Sequence, residues 1–361
     1  MDKLCPPWAE TNPDDMPEEV LANPLLDKLF SFHEFNAALA DKKDSSAPGM
    51  DGIGFDAIKK LPLKYKLLLL DIFNEMYSQA IFPDSWREAF VIFISKASGS
   101  GLRPISLTSC FCKLFETLVR NRLQWWAETN IWLPRSQHGF RKGFSCSDNL
   151  TGLLLRAEEA LSTGREVSTA FLDVEGAFDN VNIDILIDSL SRLGCSSCPL
   201  KFIKFITHER IIHTTNNDTT RRSYKGVPQG SVLSPLLYSI YVTSIIEDLP
   251  AHVYISQFAD DLAVYTISGD SVCSISSLEN SVQIIDRNLN KLGLNIAPHK
   301  TKFIHINNKK IKPGSKAIRV LESTIKSGNN YKFLGIIFDY ELSFSSGQPH
   351  SYQMLISNEH D

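Results

Sequence analysis

The spacing of apolar residues divides the chain into a mainly helical first half and a second half in which strands and helices alternate. Apolar steps of three and four residues predict a short helix over residues 24–39 and a longer one over 65–77. Phe90, Val91, Ile92, Phe93 and Ile94 form an unbroken run of strand length. Over residues 108–126, Phe111, Leu114, Phe115, Leu118, Leu123 and Trp126 fall largely on one helical face. Residues 167–173 read as a strand, and Ile183, Leu186, Ile187, Leu190 and Leu193 make a helical stripe closed by Gly194. After Gly226-Val227-Pro228-Gln229-Gly230, Ser234 as N-cap and Pro235 at the first helical position open a helix whose apolar residues continue to Ile246. Residues 253–259 and 262–267 are β-rich runs joined by Asp260-Asp261, which predicts a hairpin with two carboxylates at its tip. Residues 45–52 read as a turn-rich loop, and residues 343–361 are polar and aperiodic, predicting a poorly ordered end.

Composition narrows the classes. With 361 residues, 43% hydrophobic and 22% charged, the chain is ordinary globular material for two or three packed units at roughly 150 residues each. Disordered and collagen-like classes are excluded. No uncharged apolar run approaches the ~20 residues that span a bilayer, and the acidic N-terminus lacks a signal core. A soluble, intracellular protein with no membrane partner is expected. Seven cysteines in a chain of this size predict free thiols.

The net charge of −4 argues against a generic nucleic-acid binder, but the charges are segregated. Residues 1–58 hold 12 acids against 4 bases, while residues 291–332 hold 10 bases and the single acid Glu322. Residues 113–143 and 201–226 each carry 6 bases and 2 acids. Acids gather around residues 173–188 and 247–286. Each basic stretch alone is also what a solvated face looks like. Together, basic stretches flanking acidic centres suit a protein that holds a phosphate backbone beside metal ions.

Two acids at a tight turn, flanked by Phe258, Ala259, Leu262 and Val264, repel each other and lose hydration, so they call for a positive partner. Asp173 ends another apolar strand, and three carboxylates converging from adjacent strands suit Mg²⁺. Two such ions about 3.5–4 Å apart would activate a 3′-hydroxyl and stabilise a pyrophosphate leaving group. An Asp pair at a hairpin is, by itself, more often a solvated turn, and it is the surrounding context that reverses this.

Phe258-Ala259-Asp260-Asp261 resembles the polymerase signature of reverse transcriptases, and the surrounding blocks follow the order of the non-LTR (LINE-type) retrotransposon branch. These blocks are Ala47 through Gly52, Arg103-Pro104-Ile105-Ser106-Leu107, Gln137-His138-Gly139-Phe140-Arg141, Phe171-Leu172-Asp173 with Ala177-Phe178-Asp179, Gly226 through Pro235, Lys300-Thr301-Lys302, and Phe333-Leu334-Gly335. The resemblance covers residues 46–340. It implies an α+β right-hand polymerase with helical fingers and an antiparallel palm sheet backed by helices, with the thumb largely missing. In that division residues 1–44 are an N-terminal extension, 45–165 the fingers, 166–340 the palm with fingers elements near 195–225, and 341–361 a poorly ordered end.

Carried over residue by residue, the resemblance implies that Asp173 and Asp260 bind two Mg²⁺ ions, with Mn²⁺ as the alternative. Asp261 completes the carboxylate cluster and the Val174 carbonyl is a further ligand. Phe178, five positions after Asp173, matches the steric gate that selects deoxynucleotides, although an aromatic there is also ordinary core. Gln229 matches a residue beside the nucleotide; read from the residues alone, its segment is equally a helix-entry turn. Lys96 and Arg103 match fingers residues that hold the incoming triphosphate, and Lys300 matches the lysine near the leaving pyrophosphate. Residues 331–335 resemble the segment that holds the primer end.

Some positions depart from the family pattern. The loop between Lys96 and Arg103 is short, Leu102 stands where Tyr is common, and Phe144 where a basic residue is frequent. The chain stops soon after Asp339 and no endonuclease region precedes Met1, which implies a fragment. The expected function is RNA-directed DNA polymerisation, with an RNA template, a DNA primer and deoxynucleoside triphosphates as partners and access to the nucleus. The alternative is a retrotransposon remnant that binds nucleic acid without polymerising. A two-carboxylate hydrolase leaves the basic stretches unexplained. Cys110, Cys112, Cys195 and Cys198 lack a zinc-finger spacing. His208 and His213 are expected on the surface or at phosphates.

Overall fold

A capping box breaks the first predicted helix in two. Ser31 Oγ accepts from Glu34 N, and the Glu34 carboxylate accepts from Ser31 N. Two helices, α1 (Pro24–Asp27) and α2 (Phe32–Ala40), therefore replace a continuous one. The computed structural model describes residues 22–95, 102–214, 220–308 and 311–342.

Next in the chain are α3 (Phe55–Lys59), α4 (Leu63–Gln79), the antiparallel strands β1 (Glu88–Ser95) and β2 (Leu102–Leu107), and α5 (Cys110–Thr129). They are followed by α6 (Cys146–Ser162), β3 (Glu166–Asp173), α7 (Ile183–Arg192), α8 (Ser197–His208), β4 (Arg210–Thr214), β5 (Thr220–Ser223) and α9 (Ser234–Tyr241). The hairpin β6 (Val253–Phe258) and β7 (Asp261–Ser268) precedes α10 (Ser271–Lys291) and β8 (Lys302–Ile306). Two small hairpins complete the set: β9 (Ala317–Val320) with β10 (Ser323–Lys326), and β11 (Asn330–Phe333) with β12 (Ile336–Asp339). Helix α9 begins at Ser234, whose hydroxyl donates to Pro228 O at 2.8 Å. Ser234 thus ties down the preceding loop instead of acting as the N-cap its sequence position suggests.

Contacts divide the chain into two units, residues 1–132 with 178–241 and residues 133–177 with 242–361. The first unit holds a mixed sheet in the order β2-β1-β4-β5, in which only β1 and β4 run parallel. Its core is aromatic. Phe30, Phe73, Tyr77, Phe82, Trp86 and Phe202 surround Phe115 with ring centroids 4.6–6.0 Å away, contacts worth about 0.5–1.5 kcal/mol each beyond area burial. Arg122 on α5 staples the α1–α2 segment to this core. Its guanidinium donates to the carbonyls of Leu26, Lys28 and Leu29 and to the Glu34 carboxylate, and lies over the Phe30 ring.

The second unit holds an antiparallel sheet, β6-β7-β3-β8, against which α6 and α10 pack. Its core gathers Leu153, Phe171, Tyr265, Ile304 and Phe338 among others. Strand β3 is buried along nearly all its length although it carries Glu166 and Ser168. His305 on β8 satisfies both, with Nε2 3.0 Å from the Glu166 carboxylate and Nδ1 3.1 Å from Ser168 Oγ. Among the described residues the cysteines are free, and no helix is long and apolar enough to cross a membrane.

Candidate active site

Strand register brings the acids together. In the antiparallel β3–β7 pair, Leu172 stands opposite Leu262 and Asp173 opposite Asp261. In the β6–β7 hairpin Phe258 pairs with Asp261, leaving Ala259 and Asp260 as a two-residue loop. Asp261 therefore opens β7 while Asp260 sits in the turn. Residues directly opposite in such a pair have Cβ atoms about 4.5–5.5 Å apart, close enough for like charges to repel strongly. Burial first, and then the charges of Asp260 and Asp173, push the Asp261 carboxyl up to about 6, although its outer edge meets solvent.

Lys300 Nζ donates to Asp173 Oδ1 at 2.9 Å. The backbone holds the lysine's segment in place: Ala297 N donates to Asp173 O at 2.8 Å, and Glu175 N donates to Asn295 O at 2.9 Å. Val174 lies between these bonds opposite Ile296, with its side chain buried. The Tyr331 ring packs on Phe171 at 4.8 Å. Burial, followed by the charges of Asp261 and Asp173, raises the pKa of its hydroxyl.

The first unit holds the other predicted residues. Arg103 on β2 is exposed, opposite Ile94, and Lys96 lies outside the described residues. Phe178 is half-buried, stacked on Tyr238 with centroids 4.8 Å apart and planes 18° from parallel. Gln229 Nε2 donates to the Asp179 carboxylate at 3.2 and 3.4 Å, while Gln229 O accepts from Ser106 N at 2.7 Å. Val227 N donates to Phe178 O and Gly226 N to Val181 O, both at 2.8 Å. Residues 178–181 and 226–229 are thereby stitched together. Glu116, buried on α5, accepts from Ser231 Oγ and from Val232 N. Burial raises the pKa of Glu116, and also that of Asp179 against the opposing pull of Gln229 and Arg210.

Asp173, Val174, Asp260, Asp261 and Lys300 thus belong to the second unit, and Arg103, Phe178 and Gln229 to the first. Sequence reasoning quoted Asp179 only within the Ala177-Phe178-Asp179 block and gave no part to Glu116, whose place among the apolar residues of the 108–126 helix was the available signal. His208 is buried, not on the surface, and His213 Nε2 lies 3.2 Å from the Glu88 carboxylate.

Among the described residues no group of three or more His, Cys, Asp or Glu side chains forms a metal cage. The donor chemistry nonetheless fits a hard divalent cation. Asp173 and Asp261 offer oxygen ligands only, in register, and Asp261 carries repulsion that a cation would relieve.

Residues 94–338 match the family described as reverse transcriptase (RNA-dependent DNA polymerase), and the chain belongs to it. It is similar to the RNA-directed DNA polymerase from mobile element jockey of Drosophila melanogaster, 30% identical over 352 residues that cover 91% of this chain and 37% of that protein. The probable RNA-directed DNA polymerase from transposon BS of the same organism is 28% identical over 344 residues, covering 91% and 38%. The Pol polyprotein of its type-2 retrotransposable element R2DM is 28% identical over 240 residues, covering 61% and 22%. The chain thus spans little more than a third of the jockey and BS proteins.

Proposed function

We propose that this chain is the polymerase domain of a non-LTR retrotransposon protein and transfers deoxynucleotides to a primer 3′-hydroxyl on an RNA template. The observation that carries the reading is the register of Asp173 against Asp261 beside Lys300, inside the family-matched segment. In this reading residues 166–340, with the antiparallel sheet, are the palm, and residues 45–165, with elements near 195–225, supply the fingers.

Asp173, Asp260 and Asp261, with the Val174 carbonyl, would hold two divalent cations, Mg²⁺ or Mn²⁺. When bound, these supply the positive charge that favours a 3′-alkoxide and offsets charge on the leaving pyrophosphate. The chain's own groups do the rest. Lys300 presents an ammonium that can hold charge at a departing phosphate, and the Arg103 guanidinium is free of the sheet and shaped for phosphate oxygens. Phe178, its backbone held by Val227 and its face by Tyr238, presents a fixed obstacle to a 2′-hydroxyl. Because Gln229 commits its amide nitrogen to Asp179, its amide oxygen is oriented as an acceptor.

Primer extension on an RNA template with Mg²⁺ tests the reading. The parent should extend, and Asp173→Asn or Asp260→Asn should lower the rate by about 10³-fold, the several kcal/mol that metal charge supplies. Extension indifferent to Asp173→Asn would overturn it. Binding of primer–template without extension would leave the remnant reading.

A further inference from the structure

Residues 136–139 run beside the end of β6 and fasten the turn that carries Asp260. Gln257 N donates to Ser136 O and His138 N donates to Gln257 O, both at 2.9 Å, forming a parallel bridge between Gln137 and Gln257. From this bridge the Gln137 side chain, 0% exposed, reaches Ala259. Its Oε1 accepts from Ala259 N at 3.0 Å and from Gly139 N at 2.9 Å, and its Nε2 donates to Ala259 O at 3.5 Å. One side-chain amide thus engages both backbone groups of the residue that precedes Asp260.

The turn needs this support. Ala259 has φ +59° at the first position of a two-residue hairpin loop, where glycine is usual. The left-handed conformation disfavours an L residue by about 1–2 kcal/mol. Ala259 is also buried, so its N–H and C=O require partners. Such close approach depends on Gly139, where a Cβ would lie 2.4 Å from Ala259 N and 3.0 Å from Phe258 C. Asn149 on α6 reinforces the bridge, its Nδ2 donating to Gln257 O at 2.9 Å.

The geometry points to Gln137 as a positioning residue for the carboxylate centre: its amide holds Ala259 in the left-handed conformation that sets Asp260 and Asp261 against Asp173. The consequence for catalysis rests on the polymerase reading, but the consequence for cation binding does not. Gln137→Met keeps the bulk and removes the hydrogen bonds. Ala259→Gly makes the turn's φ intrinsically accessible, so the double variant should no longer need the amide.

Three readouts are compared: single-nucleotide addition at saturating primer–template, primer–template affinity, and Tb³⁺ luminescence as a direct probe of the carboxylates. Gln137→Met should slow addition by about 100-fold, as expected for a displacement near 1 Å. It should weaken Tb³⁺ binding by about 10-fold and leave primer–template affinity unchanged. The double variant should recover most of both losses. Parental addition and Tb³⁺ binding in Gln137→Met would overturn the proposal. So would losses in all three readouts that Ala259→Gly does not rescue, since those describe a merely structural side chain. If the parent adds no nucleotide, the polymerase reading fails and Tb³⁺ binding decides alone: weakening in Gln137→Met with rescue in the double variant upholds the proposal, and equal binding, or none in the parent, overturns it. If Gln137→Met does not fold, Gln137→Asn, an amide one methylene too short, is expected to give the same pattern and is judged by the same outcomes.

Discussion

Phe178 is half-buried: its ring stacks on Tyr238 and part of its surface meets solvent. If the open side excludes a 2′-hydroxyl, Phe178→Ala should raise ribonucleotide over deoxynucleotide incorporation by about 10- to 100-fold, the range that one steric contact in a pocket provides. Single additions with matched nucleotides measure this, and an unchanged ratio would reduce the ring to packing. Glu116 makes a different prediction. Its pKa is raised in the folded state above the ordinary 4.5, so the folded form holds its proton more firmly than the unfolded one. The resulting stability is complete below that ordinary value and is lost as pH rises through the raised one. Glu116→Gln should therefore flatten the fall in melting temperature above about pH 4.5, lying below the parent in acid and level with it or above it in mild alkali. A curve parallel to the parent's would remove Glu116 as a source of the slope.

Elements formed where their periodicity was strong, and failed to follow the pattern where a local polar group intervened. Helices α4, α5 and α7 were legible because their apolar residues recur mostly at helical steps, and strand β3 and the β6–β7 hairpin because their β-rich apolar runs have strand length. The break between α1 and α2 was also readable, since Ser31 and Glu34 have capping-box spacing. The partners of Gln137 and Glu116 were not, because Ala259 lies 122 residues from the first and Ser231 115 residues from the second. Only folding brings such groups together. The two glycines Gly226 and Gly194 separate the components of such close fits. At Gly226, φ is +78° and a Cβ would lie 2.6 Å from Asp179 O; at Gly194, φ is +86° with nothing within 4 Å. Gly194→Ala should destabilise by about 1 kcal/mol through backbone conformation alone, and Gly226→Ala by about 3 kcal/mol through added overlap. Urea denaturation measures both, and equal losses would deny the close approach.

At the scale of the molecule, a modest net charge conceals a basic C-terminal region in which Lys312, Lys326 and Lys332 are exposed. If these meet phosphates, Lys312→Ala with Lys326→Ala should weaken primer–template binding alike for unrelated sequences and reduce the log–log salt slope by about 2. Titrations between about 50 and 200 mM salt measure it, and an unaltered slope would place the nucleic acid elsewhere. The Arg122 staple carries a consequence in time. During synthesis, Phe30 meets Asn74 after 44 residues and Leu26 meets Tyr77 after 51, but Arg122 follows Leu26 by 96. At about 5–20 residues per second that is a wait of roughly 5 to 20 s. Until then Phe30, and each of Phe73, Tyr77, Phe82 and Trp86 as it is made, is accessible to chaperones and to neighbouring nascent chains, and the acid-rich opening stretch keeps like-charged chains apart. Loss of Arg122 would be felt first on the ribosome, as aggregation of unfinished chains.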